Sequence, residues 1–258
     1  GLGSQGGPMV QRIIAAGFPT LLWARRPEAL SDFAGAGSAD SIATLGAACD
    51  HIGLCVVNDA DLREVCDQLI PAMKAGSRIA VHSTVNPDTC KALASEAAAR
   101  GIGLIDAPVS GGSPAATAGT LSVMVGGDAE TLAAARPVFE SFASMIVHLG
   151  DVGAGQIAKL INNTLMAAHM GLAHHALASG VALGINRTAL ADLIKTSSGR
   201  SFGFDVYARL PSPAAFAHGA ALLAKDVGLL GRVMGTDPDG LAMRQSALSF
   251  LDLIKSTE

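Results

Sequence analysis

Over the first 150 residues, short apolar runs alternate with Ala-rich stretches of helical spacing. The runs at residues 20–24, 52–57, 78–82, 103–109, 120–125 and 145–149 are rich in Val, Ile and Leu and read as strands. Between most of them lie helical patterns, for example residues 61–70 and 87–99. Strands and helices in alternation predict an α/β domain with a mostly parallel sheet covered by helices. Beyond Gly111 the strands follow one another with fewer helices, so that edge of the sheet is expected to be mixed. After Gly150 the pattern changes. A long helix is predicted from Asp151, as its cap, to a glycine stop at Gly184, with further helices at 188–196, 219–234 and 240–255. The predicted division is therefore residues 1–150, α/β, and residues 151–258, all-helical.

Composition narrows the classes of function. Half of the 258 residues are hydrophobic and only 4% are aromatic, so a full core must be built from Ala, Val, Leu, Ile and Met. Eighteen basic residues against 22 acidic ones give a net charge of −4, which argues against a nucleic-acid partner. Residues 160–186 carry no charged side chain and are long enough to span a bilayer, for which about 20 apolar residues suffice. Asn162, Asn163, Thr164, His169, His174, His175 and Ser179 interrupt them, so a buried helix is expected and no membrane partner. Cys49, Cys55, Cys66 and Cys90 show neither CxxC spacing nor a nearby zinc-type histidine. They read as reduced thiols of a cytoplasmic protein, with no metal site and no secretory leader.

The chain opens on "GLGSQGGPM". Gly1, Gly3 and Gly6 fit GxGxxG; with Leu2, Ser4 and Gln5 they form a loop at the start of a helix expected to run to Ala16. Such a loop turns tightly and brings bare backbone to a pyrophosphate at a helix N-terminus. The helix is followed by the strand "TLLWA", completing the unit of a Rossmann-type dinucleotide-binding domain. A strand should also precede the loop, and the sequence is expected to begin inside the native chain. Cofactor choice is read at the end of the second strand. NAD-using domains place Asp or Glu about 20 residues beyond the loop for the ribose 2′-hydroxyl. Ala24, Arg25 and Arg26 stand there instead. Guanidinium groups suit a 2′-phosphate, so NADP is expected ahead of NAD.

Two further segments carry chemistry. In "DAPVSGG", Ser110, Gly111 and Gly112 offer a hydroxyl and bare N–H groups, a natural cradle for a carboxylate. In "GAGQIAKLINN", Lys159 and Asn163 are four residues apart and share a helical face within an otherwise apolar helix. Burial of an ammonium favours its neutral form, which suits proton transfer near neutral pH.

The ordered set "GLGSQGGPM", "DAPVSGG", "GTLSVMVGG", "GAGQIAKLINN", "SSGRSF" and "LLAKDV" resembles the β-hydroxyacid dehydrogenase family, which includes 3-hydroxyisobutyrate dehydrogenase and tartronate semialdehyde reductase and is related to 6-phosphogluconate dehydrogenase. The resemblance runs from Gly1 to about Gly231. It implies Lys159 as catalytic acid/base, Asn163 as the amide that orients substrate, and Ser110, Gly111 and Gly112 as the carboxylate-binding turn. It implies Val57, Asn58 and Thr84 in loops lining the cofactor, and Lys225 reaching a cleft from the helical domain. The implied activity is hydride transfer between NADP(H) and a small 3-hydroxyacid or the matching semialdehyde, at a site between the domains of a homodimer or homotetramer. Alternatives are an NADPH-dependent imine reductase, whose members generally lack the lysine, and a non-catalytic NADP-binding protein. The chain departs from the pattern at His175, where relatives usually carry Glu, and in a shorter tail. His174 and His175 are adjacent on a helix and so are expected to point apart, which disfavours a metal site.

Overall fold

Strand and helix alternate as expected in a computed structural model that describes residues 1–255. Helix α1 (Gly6–Ala15) leads to β1 (Leu21–Leu22), which pairs in parallel with β2 (Gly37–Ser38) in a sheet of its own. After α2 (Ile42–Ala48), six strands form the main sheet: β3 (His51–Leu54), β4 (Arg78–Val81), β5 (Gly103–Asp106), β6 (Val109–Ser110), β7 (Leu121–Gly126) and β8 (Ala143–Gly150). Their order is β3-β4-β5-β7-β6, with β8 also on β7. The β3-β4-β5 pairs are parallel, β7 runs antiparallel to β5 and β6, and β8 is parallel to β7, so the far edge is mixed.

Helices α3 (Asp59–Ala72), α4 (Pro87–Ala98), α5 (Gly112–Ala118) and α6 (Ala129–Phe139) connect these strands. Side chains alternate between two cores. Ile79 and Val81 join Leu62, Leu69 and Leu93 from α3 and α4, whereas Ala80 and Ile105 join Met9, Leu132 and Phe139 from α1 and α6. The strand expected over 103–109 is two strands. Pro108 has no N–H for a ladder, and the chain turns there, leaving its carbonyl to accept from Met124 N at 3.0 Å.

The helical part comprises α7 (Ala154–Ala182), α8 (Arg187–Thr196), α9 (Phe202–Ala208), α10 (Ala217–Met234) and α11 (Pro238–Lys255). Its core gathers Met170, Leu177, Phe204, Tyr207, Leu223, Val227 and Phe250. Helix α9 was not foreseen; Ser201 caps it by accepting from Phe204 N at 3.0 Å.

Two expectations about α7 are corrected. Asp151 does not cap it with its side chain; its backbone carbonyl accepts from Ala154 N at 3.0 Å. The cap is the buried carboxylate of Asp106, at the end of β5, which accepts from Gly153 N at 2.6 Å and Gln156 N at 2.7 Å. In turn the Gln156 side chain donates to Ser83 O at 2.8 Å and accepts from Val85 N at 3.1 Å. These bonds fasten the first turns of α7 to the sheet. The chain divides into two compact units, Gly1–Lys159 and a second that begins at Leu160, so the first turns of α7 pack with the first unit. The rings of His174 and His175 also do not diverge. His174 Nδ1 is 2.7 Å from the Tyr207 hydroxyl, and the His175 ring meets the His174 ring edge to face at 5.1 Å. Among the described residues, no helix is long and apolar enough to cross a membrane.

Candidate active site

In the first unit the glycine loop sits at the end of β3. A Cβ on Gly1 would overlap the Cys55 carbonyl oxygen, and one on Gly6 would overlap the Gly1 carbonyl oxygen. Nothing lies within 4 Å of a Cβ built on Gly3. The outer glycines therefore permit close packing, while the middle one leaves backbone bare to a ligand. Gln5 gives no side-chain cap to α1, and its first turn holds no acidic residue. No acidic side chain of that turn offsets the positive end of the helix dipole. Leu2, Ser4 and Gln5 are all at least partly exposed around it.

Beyond β1 lies a cavity of about 370 Å³ lined by Trp23, Ala24, Arg25, Pro27, Leu30, Ser38, Ala39 and Asp40. Arg25 is already engaged there: its Nη2 lies 2.8 Å from Asp61 Oδ1 and 2.6 Å from Glu64 Oε2, both on α3. Its guanidinium is accordingly held even more firmly charged, chiefly by the hydrogen bond to Asp61. Arg26 is exposed and forms no ion pair among the described residues.

The expected cofactor loops are fixed to one another. Ser83 Oγ accepts from Val56 N at 2.6 Å, and Asp59 Oδ1 accepts from Asn86 N at 2.9 Å. Half-buried Thr84 lies between Ser83 and Val85, the two residues bound by Gln156. Val57 is 73% exposed. Asn58 caps α3 by accepting from Asp61 N at 2.9 Å, so its side chain has a structural task.

Ser110 ends β6, and its hydroxyl has no hydrogen-bond partner among the described residues. Gly111 and Gly112 follow with φ of 129° and 68°, a turn that L side chains resist. A Cβ at Gly111 would also come within 2.5 Å of Ala115 Cβ. Lys159, 9% exposed, stands in the second turn of α7 and is the last residue of this unit.

The second unit supplies Asn163, one helical turn further along α7. Its Nδ2 donates to Oδ2 of buried Asp226 at 2.6 Å, and its Oδ1 accepts from Asn162 at 3.2 Å. Lys225 Nζ lies 3.5 Å from Asp226 Oδ1. Sequence reasoning singled out Lys225 in "AKDV" but passed over Asp226, although an acid beside a lysine in an apolar helix was a visible signal. It likewise passed over Asp106, Gln156, Asp61 and Glu64. No group of three or more His, Cys, Asp or Glu among the described residues is placed to hold a metal ion.

Comparisons with known proteins find relatives of both halves of the chain. The family model for the NAD binding domain of 6-phosphogluconate dehydrogenase covers residues 1–150. That for the NAD-binding domain of NADP-dependent 3-hydroxyisobutyrate dehydrogenase covers residues 153–247. The chain is 34% identical to an NAD-dependent L-serine dehydrogenase of Pseudomonas aeruginosa, over 98% of this chain and 90% of that one. It is 37% identical to a 3-hydroxyisobutyrate dehydrogenase of the same organism, over 89% and 82%. Among solved structures, Mycobacterium tuberculosis 3-hydroxyisobutyrate dehydrogenase with L-serine superposes with a TM-score of 0.86 at 28% identity, covering 100% of this chain and 97% of that one. With both halves matched, and with the glycine loop, the Ser-Gly-Gly turn and the lysine helix in order, the chain belongs to the β-hydroxyacid dehydrogenase family of NAD(P)-dependent oxidoreductases.

Proposed function

We propose that the chain oxidises a small 3-hydroxyacid, or reduces the matching semialdehyde, with NADP(H) as the preferred cofactor and Lys159 as acid/base. The supporting observation is a lysine buried at 9% exposure in a helix that bears no other charge for a long way, one turn before an asparagine held by a buried aspartate. Named relatives acting on L-serine and 3-hydroxyisobutyrate support a substrate with one carboxylate and a 3-hydroxyl. In this reading residues 1–150 form the cofactor domain, and the helical remainder serves substrate binding and assembly.

A nicotinamide dinucleotide, when bound, supplies the hydride acceptor or donor. Gly1, Leu2, Gly3, Ser4, Gln5 and Gly6 hold its pyrophosphate; Val57, Asn58, Thr84 and Lys225 line its path; Arg25, with Arg26 beside it, meets its adenosine ribose. Ser110 and the N–H groups of Gly111 and Gly112 receive the substrate carboxylate, and Asn163 orients the hydroxyl. Fixing both ends of a short substrate lowers the entropic part of the barrier. Lys159 Nζ, as the free amine, takes the hydroxyl proton as the C–O bond becomes a carbonyl; as the ammonium, it returns that proton in reduction. Four free cysteines suit work in the reducing cytoplasm.

The test is turnover of L-serine, 3-hydroxyisobutyrate and short semialdehydes by the parent protein and by Lys159→Ala. Loss of the acid/base should lower kcat by at least about a hundredfold and leave cofactor affinity near its parent value. Near-normal turnover by Lys159→Ala would make the lysine structural. Activity on cyclic imines with none on hydroxyacids would overturn the substrate assignment.

A further inference from the structure

One terminal nitrogen of Arg25 serves two carboxylates, Asp61 at 2.8 Å and Glu64 at 2.6 Å. Both acids stand on the first two turns of α3, and Asp61 is fixed there because Asn58 holds its N–H. Arg25 also lines the 370 Å³ cavity beyond β1, whose lining carries one carboxylate of its own, Asp40. Arg26, the other cation at this edge, faces solvent without an ion pair among the described residues. The cation that the 2′-phosphate requires is thus occupied by acids on a neighbouring helix.

We propose that Asp61 and Glu64 are specificity-determining residues that hold Arg25 back from a 2′-phosphate and so shift the enzyme from strict NADP use towards dual use of NADP and NAD. The inference rests on the reading of Arg25 as the 2′-phosphate ligand. A phosphate dianion arriving at Arg25 must share or displace two carboxylates, and like charges in close reach oppose it. A ribose 2′-hydroxyl meets no such opposition and can donate a hydrogen bond to a carboxylate. The acids therefore weaken the binding of one cofactor and leave the other unharmed or strengthened. Both pairs are partly solvated, with 53% of the Arg25 side chain exposed, so each is a modest brake that a phosphate can overcome.

Trp23, the single tryptophan of the chain, lines the same cavity, which makes its fluorescence the probe of binding there. Dissociation constants for NADP⁺ and NAD⁺ are to be measured by Trp23 quenching, with calorimetry as a check, for four proteins: the parent, Arg25→Ala, Glu64→Gln, and Asp61→Asn combined with Glu64→Gln. Thermal melts confirm that each is folded. The combined variant should bind NADP⁺ about three- to tenfold tighter, with NAD⁺ unchanged or weaker. Glu64→Gln should give part of that gain, and Arg25→Ala should weaken NADP⁺ alone. If Arg25→Ala weakens NADP⁺ but the acid variants leave the ratio of the two cofactors unchanged, the inference falls and the reading of Arg25 stands. If Arg25→Ala leaves NADP⁺ binding unchanged, the reading of Arg25 falls and the inference with it.

Discussion

At the scale of single residues, the side chain that fixes Asn163 is Asp226. It is 63 positions from Asn163, yet its carboxylate accepts the Asn163 amide at 2.6 Å and keeps that side chain in one orientation. A hydrogen bond to a charged group contributes about 1.5–3 kcal/mol net. Asp226→Ala frees the amide and leaves it without its acceptor. Under the proposed role of Asn163 as orienter, kcat should fall about tenfold and KM for the hydroxyacid should rise. Asp226→Asn, which can still present an oxygen to Asn163, should recover much of the loss. NADP⁺ affinity should be unchanged in both. Equal loss in the two variants, or a loss confined to thermal stability, would make Asp226 a packing residue.

At the scale of elements, periodicity located most strands and helices to within a few residues, because the main sheet is covered on both faces and its strands are apolar runs bounded by turns. It failed where a local signal competed with a distant one. The run at 103–109 reads as one strand until Pro108 breaks the ladder, and Asp151 reads as a cap until Asp106 takes that place from across the unit. No pattern disclosed two histidines beside the sheet, His82 buried and His51 half-buried. His82 on the loop after β4 touches Phe139 and Phe142 at 5.3 and 5.7 Å, and its Nδ1 lies 2.8 Å from the Ala107 carbonyl. Burial pushes it down to about 4, against a partial rise from that carbonyl. His51 on β3 is likewise brought to about 4, first by burial and then by His82. For a base whose folded value lies below its unfolded 6.5, the unfolded chain binds more protons between those limits. Stability from these residues is full above about pH 6.5 and drains as pH falls towards 4. Asp106 has the opposite sign. Burial raises its carboxyl above 3.8 despite its N–H partners, so its contribution diminishes as pH rises just above that value. Near pH 5.5, up to two protons taken up on unfolding correspond to about 1.4–2.7 kcal/mol per pH unit. Denaturant unfolding of the parent and of His82→Gln at several pH values between 7 and 4.5 tests this. The variant is expected to be less stable at pH 7 but to have a slope smaller by about one proton. Equal slopes would show that His82 does not titrate with unfolding.

At the scale of the whole molecule, the charge-free stretch of α7 has one consequence that neither core absorbs. Buried positions such as Ala167, Met170, Ala173 and Leu177 face the helical core. Ile161, Leu165, Leu172 and Ala176 are exposed, as is Leu183 just past the helix end. Their spacings of four and seven residues place them along one seam, about 33 Å from first to last at 1.5 Å per residue. Leu172 is 64% exposed and Leu183 81%, on a seam without a charged residue to keep it in water. Isolated exposed leucines need no explanation, but a continuous apolar seam of this length marks a surface that associates. We therefore expect a homodimer, alone or within a homotetramer, with this face of α7 against the same face of a second copy, as closed symmetric assembly requires of an isologous contact. Light scattering at micromolar concentration should give at least twice the monomer mass of 26.0 kDa. Leu165→Glu with Leu172→Glu places two charges on each side of a two-fold contact, and should release monomer while far-UV circular dichroism stays unchanged. In a protein that is already monomeric, the same substitutions would only add surface charge and improve solubility. A monomeric parent, or an oligomer indifferent to both glutamates, would remove α7 from the interface.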